Sequence, residues 1–109
     1  MISNPTKRHL SPARKQLIEQ MQRINYGRIE KMLVRRGEPV LEPMPCVVHE
    51  FKFPGDNGPR PEISAADFTL KAQVVALFVQ LDSLGNGLIR SIEIQRGLPF
   101  RMTVEEVCA

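Results

Sequence analysis

Asp82, Asn86 and Glu93 stand at the first, fifth and twelfth places of the run Asp82-Ser-Leu-Gly-Asn-Gly-Leu-Ile-Arg-Ser-Ile-Glu93. Carboxylate and amide oxygens are the ligand types a hard cation takes. A second chemistry is anion binding. Arg35 and Arg36 precede Gly37, Arg96 precedes Gly97, and Lys7 and Arg8 lie close to the start of the chain. Guanidinium and ammonium groups in such positions could meet phosphates, with Arg14, Lys15 and Arg23 extending the patch. His49, between Val47 and Phe51, could serve as a base or ligand, but only Cys46 lies at ligand spacing from it. A hydrogen-bonded structural histidine on an apolar face is the expectation, and Cys46 reads as a small core residue. The chain has no Gly-rich phosphate loop, no nucleophile elbow and no paired carboxylates, so neither enzyme activity nor a cofactor is expected.

The elements that would carry these residues occur twice. Gly27-Arg-Ile-Glu-Lys-Met-Leu-Val-Arg-Arg-Gly-Glu-Pro-Val40 returns sixty residues later as Gly87-Leu-Ile-Arg-Ser-Ile-Glu-Ile-Gln-Arg-Gly-Leu-Pro-Phe100. Gly27/Gly87, Ile29/Ile89, Arg36/Arg96, Gly37/Gly97 and Pro39/Pro99 are identical, and the offset continues backwards through Leu17/Leu77, Gln20/Gln80 and Ile24/Leu84. Each copy reads as a helix followed by a hairpin. Ser11-Pro12 starts the first helix, with a serine acceptor for the open N–H groups and a proline that loses nothing at the first position. Leu17, Ile18, Met21 and Ile24 then share one face. Residues 28–35 and 38–42 form the first hairpin, its tip supplied by Gly37. Pro39 and Pro99, lacking an N–H, should point away from the sheet ladder. A third strand is expected over Cys46–Phe53, followed by the Pro/Gly-rich loop 54–61. Ser64 to Asp67 reads as the second helix start, leading into the broader and more deeply buried helix, and residues 88–95 and 98–104 form the second hairpin. Leu98, Phe100, Met102 and Val104 alternate there as one apolar face.

The order αβββαββ predicts an α+β fold, with tandem αββ units and two helices on one face of an antiparallel sheet of about five strands. Residues 1–10 read as a disordered basic tail and 11–107 as one domain. Its parts are a first unit (11–42), an inserted strand and loop (46–63) and a second unit (64–105). Charge is uneven: residues 1–40 hold nine Lys/Arg against three Asp/Glu, and residues 41–109 hold six against nine. With no Trp and one Tyr, the core is expected to be aliphatic plus the five Phe, leaving Tyr26 as the candidate stacking aromatic. Met1 to Leu10 has no apolar run and no stretch reaches membrane-spanning length, so a cytoplasmic chain with thiols at Cys46 and Cys108 is expected, with no membrane partner.

The run Asp82–Glu93 resembles an EF-hand calcium loop, which would assign Asp82, Asn86 and Glu93 as metal ligands. It departs from that family at Leu84 in the third place, at Arg90 in the ninth, and at Gly97-Leu-Pro99, which would cut short an exiting helix. Ile24-Asn-Tyr-Gly-Arg-Ile-Glu30, with Val34-Arg-Arg-Gly37 and Val40, resembles the helix–hairpin pattern of small bacterial proteins known as domains of unknown function. That resemblance implies a fold and no sites. The leading expectation is a small non-catalytic bacterial binding module that takes a polyanion or nucleic acid at Arg35, Arg36, Arg96, Lys7 and Arg8. The alternatives are a protein-interaction or self-association module, and a degenerate calcium site.

Overall fold

Ser11 starts the first helix as its sequence dictates. Its Oγ accepts from the Arg14 N–H at 3.2 Å, and Pro12 occupies the first helical position. In the structure, a computed structural model that describes residues 6–53, 55, 58–61 and 69–105, the elements follow the expected order. They are a 3-10 turn (Lys7–His9), α1 (Pro12–Ile24), β1 (Gly27–Arg35), β2 (Glu38–Pro39), β3 (Cys46–His49), α2 (Ala72–Leu84), β4 (Gly87–Gln95) and β5 (Leu98–Glu105). The fold is α+β, two helices on an antiparallel five-stranded sheet.

The two helices are thirteen residues each, and their bounds, like those of β1 and β4, lie sixty residues apart. α2 begins later than expected. Lys71 precedes its first turn, and Thr69 is bridged to Thr6 in extended form; the predicted start at Ser64–Asp67 lies outside the described residues. Nor is α2 the more buried helix. Leu17, Ile18, Met21 and Ile24 of α1 are fully covered, whereas Val79 of α2 faces outward.

β1 and β4 pair antiparallel at the centre of the sheet, Gly27 opposite Ile94 and Val34 opposite Gly87. This register maps onto itself under the sixty-residue shift, since Ile29 faces Ile92 and Met32 faces Ile89. Lys31 and Arg90 are passed over at the midpoint, and Lys31 takes φ 60°. Because each strand passes over one residue, the β1–β4 register is kept while the alternation of both strands shifts by one; against β5 the register shifts between Ile89 and Ser91. Hence Ile29, Met32 and Val34 all face the core despite their mixed parity, as do Ile89, Ile92 and Ile94. These six residues and the inner faces of both helices form one hydrophobic cluster.

Three features of the outer strands bear on the expectations. First, β3, expected as part of an inserted strand and loop, pairs with β1 on the same edge as β2, with Val47 opposite Ile29, as Val104 of β5 lies opposite Ile89. β2 and β3 are thus one edge interrupted by Val40–Pro45, which includes a cis Glu42–Pro43 bond. Second, β3 stops at His49. Glu50 still donates its N–H to the Tyr26 carbonyl at 2.9 Å, but Phe51 and Phe53 are exposed, Phe53 at 90%. His49 and Cys46 are therefore exposed rather than core residues. Cys108 lies outside the described residues. Third, β5 carries its own register shift. Glu93 pairs with Arg101 but Ile94 with Pro99, so Phe100 is skipped and turned outward at 56% exposure. Among the described residues only Phe78 serves the core as an aromatic.

Residues next to the core positions on β1 and β4 point to the other face of the sheet, which is charged. Arg28 lies 3.0 Å from Glu30, Arg101 3.6 Å from Glu93, and Arg90 3.0 Å from Glu105. A face whose charges are paired along and across the strands is a solvated one. No described helix is long and apolar enough to cross a membrane.

Candidate functional site

Both hairpins turn in two residues, with Arg35 opposite Glu38 and Gln95 opposite Leu98. Arg36 and Gly37 take φ 53° and 76°, and Arg96 and Gly97 take 54° and 74°. Two consecutive positive φ values define the turn whose twist matches paired strands; glycine meets the second at no steric cost, while an arginine meets the first with some strain. Pro39 sits opposite Val34, and the next residue, Val40, donates its N–H to Leu33 at 2.8 Å. The proline thus falls where the ladder needs no donor.

Each tip docks on the helix of the other unit. Gly37 donates its N–H to the Gly85 carbonyl at the end of α2 (2.8 Å), and Gly97 to the Asn25 carbonyl at the end of α1 (2.9 Å). These bonds satisfy helix-end carbonyls that would otherwise lack a partner. Two corners result, related by the sixty-residue shift, and they differ in chemistry.

The first corner is sealed by Arg14. Its guanidinium donates to the Gly37 carbonyl at 3.0 Å and to Asp82, and its Nε lies 3.5 Å from Glu38 Oε1. It covers the Phe78 ring at 4.9 Å. Ser11 Oγ donates to Glu38 at 2.6 Å, and the Arg36 N–H donates to Asn86 Oδ1 at 3.1 Å. Little room remains beside Gly37, where a Cβ would come within 2.9 Å of Asp82 Oδ1.

The second corner holds a cleft of about 330 Å³. The four positions sixty residues from Arg14, Asp82, Glu38 and Phe78 are Val74, Gln22, Leu98 and Ile18, and all four line it. Leu70 adds a further apolar wall. Arg96, Lys71 and Arg60 bring positive charge, and no acidic group among the described residues pairs with Arg96 or Lys71. The Pro/Gly-rich loop closes one side, the Arg60 N–H donating to the Gln22 carbonyl at 2.9 Å and Asn25 Nδ2 to the Gly58 carbonyl at 3.0 Å. Gln22 is only 8% exposed, and among the described residues its Oε1 has no hydrogen-bond partner. A buried acceptor without a partner is uncommon in folded proteins and identifies this wall as a place where a donor would be stabilised. A second cavity of about 390 Å³ adjoins on the other side of Arg96, bounded by Tyr26, Lys52, Gln73 and Phe100. Lys52 Nζ lies 3.9 Å from the Tyr26 ring centre.

The structure does not gather the sequence-predicted basic residues. Arg35 and Arg36 lie past the Gly87 end of the central pair and Arg96 past the Gly27 end. A nine-residue strand separates them, roughly 30 Å of extended chain. Lys7 and Arg8 do not belong to a disordered tail, because Thr6–His9 is ordered and bridged to Thr69. Lys7 is 5% exposed and lies 3.8 Å from Glu19, so it presents no open charge to a phosphate; Arg8 is exposed. The calcium-loop alternative is dispersed too. Asp82 is engaged by Arg14, Asn86 by the Arg36 backbone and Glu93 by Arg101, and the segment after Gly87 is a strand rather than a helix. Among the described residues no three His, Cys, Asp or Glu side chains gather.

Sequence reasoning found Arg96 but missed Gln22, Lys71, Val74 and Arg60. A signal for Gln22 and Val74 existed in the offset itself, since charged Arg14, Asp82 and Glu38 are exchanged for uncharged residues in the other copy; none pointed to Lys71 or Arg60. No family model matches the chain, and comparisons with curated proteins and with solved structures returned no match.

Proposed function

We propose that the protein is a small, non-catalytic binding module built from two copies of one αββ unit, and that it takes an anionic ligand at the corner formed by the β4–β5 tip and the end of α1. One observation carries this reading: of two corners with the same backbone plan, one is sealed by its own arginine while the other is an apolar cleft beside Arg96 and Lys71, with which no acidic group among the described residues pairs. Cations next to a low-dielectric wall attract an anion more strongly than cations in open water. The exposed free thiol of Cys46 goes with a reducing, cytoplasmic setting.

The test is an amide NMR titration with inorganic pyrophosphate. Shifts should cluster at Gln95–Leu98 and Lys71. Arg96→Ala should weaken binding about fivefold or more, and raising salt from about 0.05 to about 0.5 M should weaken it further. Shifts at the Arg36 tip, or an affinity indifferent to Arg96→Ala, would refute this assignment.

A second reading, single-stranded nucleic acid at the same corner, is favoured by Phe100 and Tyr26 beside Arg96 and Lys52 around the adjoining cavity. Aromatic faces beside cations are the usual platform for unpaired bases. Phe100→Ala would then reduce affinity for a thymidine oligonucleotide; an unchanged affinity would exclude stacking there.

A further inference from the structure

The comparison between the two corners narrows the ligand class, and the inference rests on the anion-binding reading above. In the first corner the space between tip and helices is filled by a planar guanidinium, which meets an aromatic ring, a backbone carbonyl and two carboxylates. In the second corner the backbone plan is kept, with Gly97 for Gly37, but each of these side chains is changed and none of the replacements is charged. The guanidinium is replaced by the short side chain of Val74, Phe78 by Ile18, Glu38 by Leu98, and Asp82 by Gln22. What remains is an apolar slot with one amide acceptor in its wall and cations at its rim. A bare phosphate would use the rim and leave the slot and Gln22 Oε1 unsatisfied. A neutral apolar molecule would use the slot and leave Arg96 and Lys71 without a counter-charge.

We infer that the cleft takes a small amphipathic carboxylate. Its apolar body, an aryl ring or short alkyl chain, occupies the place that the Arg14 guanidinium holds in the other corner. Its carboxylate meets Arg96 and Lys71, and a hydroxyl or amide N–H on the body donates to Gln22 Oε1. The volume of about 330 Å³ lies in the range of small-ligand pockets, which combine apolar walls with a few placed polar groups. The buried amide supplies selectivity, because a site that leaves its acceptor unpaired discriminates against a ligand lacking the donor.

The experiment is calorimetric titration of the full chain with 3-(4-hydroxyphenyl)propanoate, 3-phenylpropanoate, the neutral alcohol of the former, inorganic pyrophosphate and a short thymidine oligonucleotide. The hydroxylated acid should bind tightest. Loss of its hydroxyl should weaken binding about fivefold, and loss of its charge about tenfold. Gln22→Leu should abolish the difference between the two acids, and Arg96→Ala should abolish the difference between acid and alcohol. Val74→Arg, which restores the arginine of the other corner, should block all three. Arg96 is exposed, so the Arg96→Ala result stands even if Val74→Arg does not fold. Arg96-dependent binding of pyrophosphate or the oligonucleotide, with no binding of the acids, would overturn the ligand class and leave the anion site standing. Equal affinity for acid and alcohol in the unaltered protein would overturn the ligand class as well. Absence of binding by any probe would overturn both readings.

Discussion

Arg14 and Val74 hold the same place in the two units, and the difference between them decides which corner is closed. Arg14 is a long side chain with most of its surface covered, and its donors satisfy a backbone carbonyl and a carboxylate. Arg14→Ala should cost about 2 kcal/mol in urea denaturation, since it strands the Gly37 carbonyl and removes the cover from Phe78. It should also open a second cleft that the unaltered protein lacks. Gly97 is constrained from another direction. Its φ is 74°, and a Cβ would lie 2.7 Å from Arg60 Cγ and 3.3 Å from the Gln22 Cα. Gly97→Ala should therefore lose about 1–2 kcal/mol and disturb the cleft, with both effects visible in one NMR-monitored unfolding series. On the open sheet face the Arg90 guanidinium, by hydrogen bond and then by charge, holds the Glu105 carboxyl below the usual carboxylate range. A carboxyl with a lowered folded value contributes stability at neutral pH and loses it as pH falls through that lowered value. In Arg90→Ala the Glu105 carbon-detected titration midpoint should rise towards the ordinary carboxylate value. The melting temperature should hardly move, because both side chains are solvent-exposed and a surface pair adds little.

At the level of elements, the paired bulges in β1 and β4 carry the fold. They let a strand with core residues at 29, 32 and 34 keep one buried face, and the same holds at 89, 92 and 94. Deletion of Lys31 would set Ile29, Met32 and Val34 at simple alternate spacing but leave Arg90 of β4 without a counterpart, shifting the β1–β4 pairing by one on one side of the midpoint; it should lower the urea midpoint. Ile92→Ala, at the centre of the cluster, should cost about 3 kcal/mol by the same denaturation measurement. The turns offer the opposite opportunity. Arg36→Asn places a residue tolerant of positive φ where Arg36 has 53°, and should stabilise the chain by about 0.5 kcal/mol. Much of this level was legible in advance: the helix start at Ser11, the glycine tips, the two prolines and the element order all follow from local chemistry. The bulge at Phe100 and the early end of β3 were not. Alternation along a sequence reports which residues could share a face, but an extra residue in the ladder changes the count without altering composition.

Across the whole molecule the two halves share one hydrophobic cluster and are joined by the central β1–β4 pairing, by the docking of each tip on the other half's helix and by the Arg14–Asp82 ion pair. Neither unit can bury its inner face alone. A fragment of residues 6–53 should be unfolded by circular dichroism, and mixing it with 69–105 should restore helical signal only if the partners assemble through β1 and β4. The same arrangement sets the tips at opposite ends of the sheet. A ligand at Arg96 therefore does not reach Arg35 or Arg36, and the uneven charge of the two halves does not become one basic patch. The β5 edge is the longer open edge, while the β2–β3 edge is broken by prolines.

The sequence by itself determined the elements, because helix starts, glycine turns and apolar spacing act over a few residues and depend on bonded neighbours. It also carried the sixty-residue offset along which α1 and α2, and β1 and β4, have matching bounds. The tertiary structure alone decided what the second corner is. Val74, Gln22 and Leu98 come from three separate elements, and none of them carries a chemical signal in isolation. Their meaning arises when the two-fold-like packing sets them against Arg14, Asp82 and Glu38, and a filled corner in one unit becomes a cleft in the other. The tertiary structure also decided that Lys7 is buried and that the arginine tips stand apart, since charge along a chain does not state which charges share a surface.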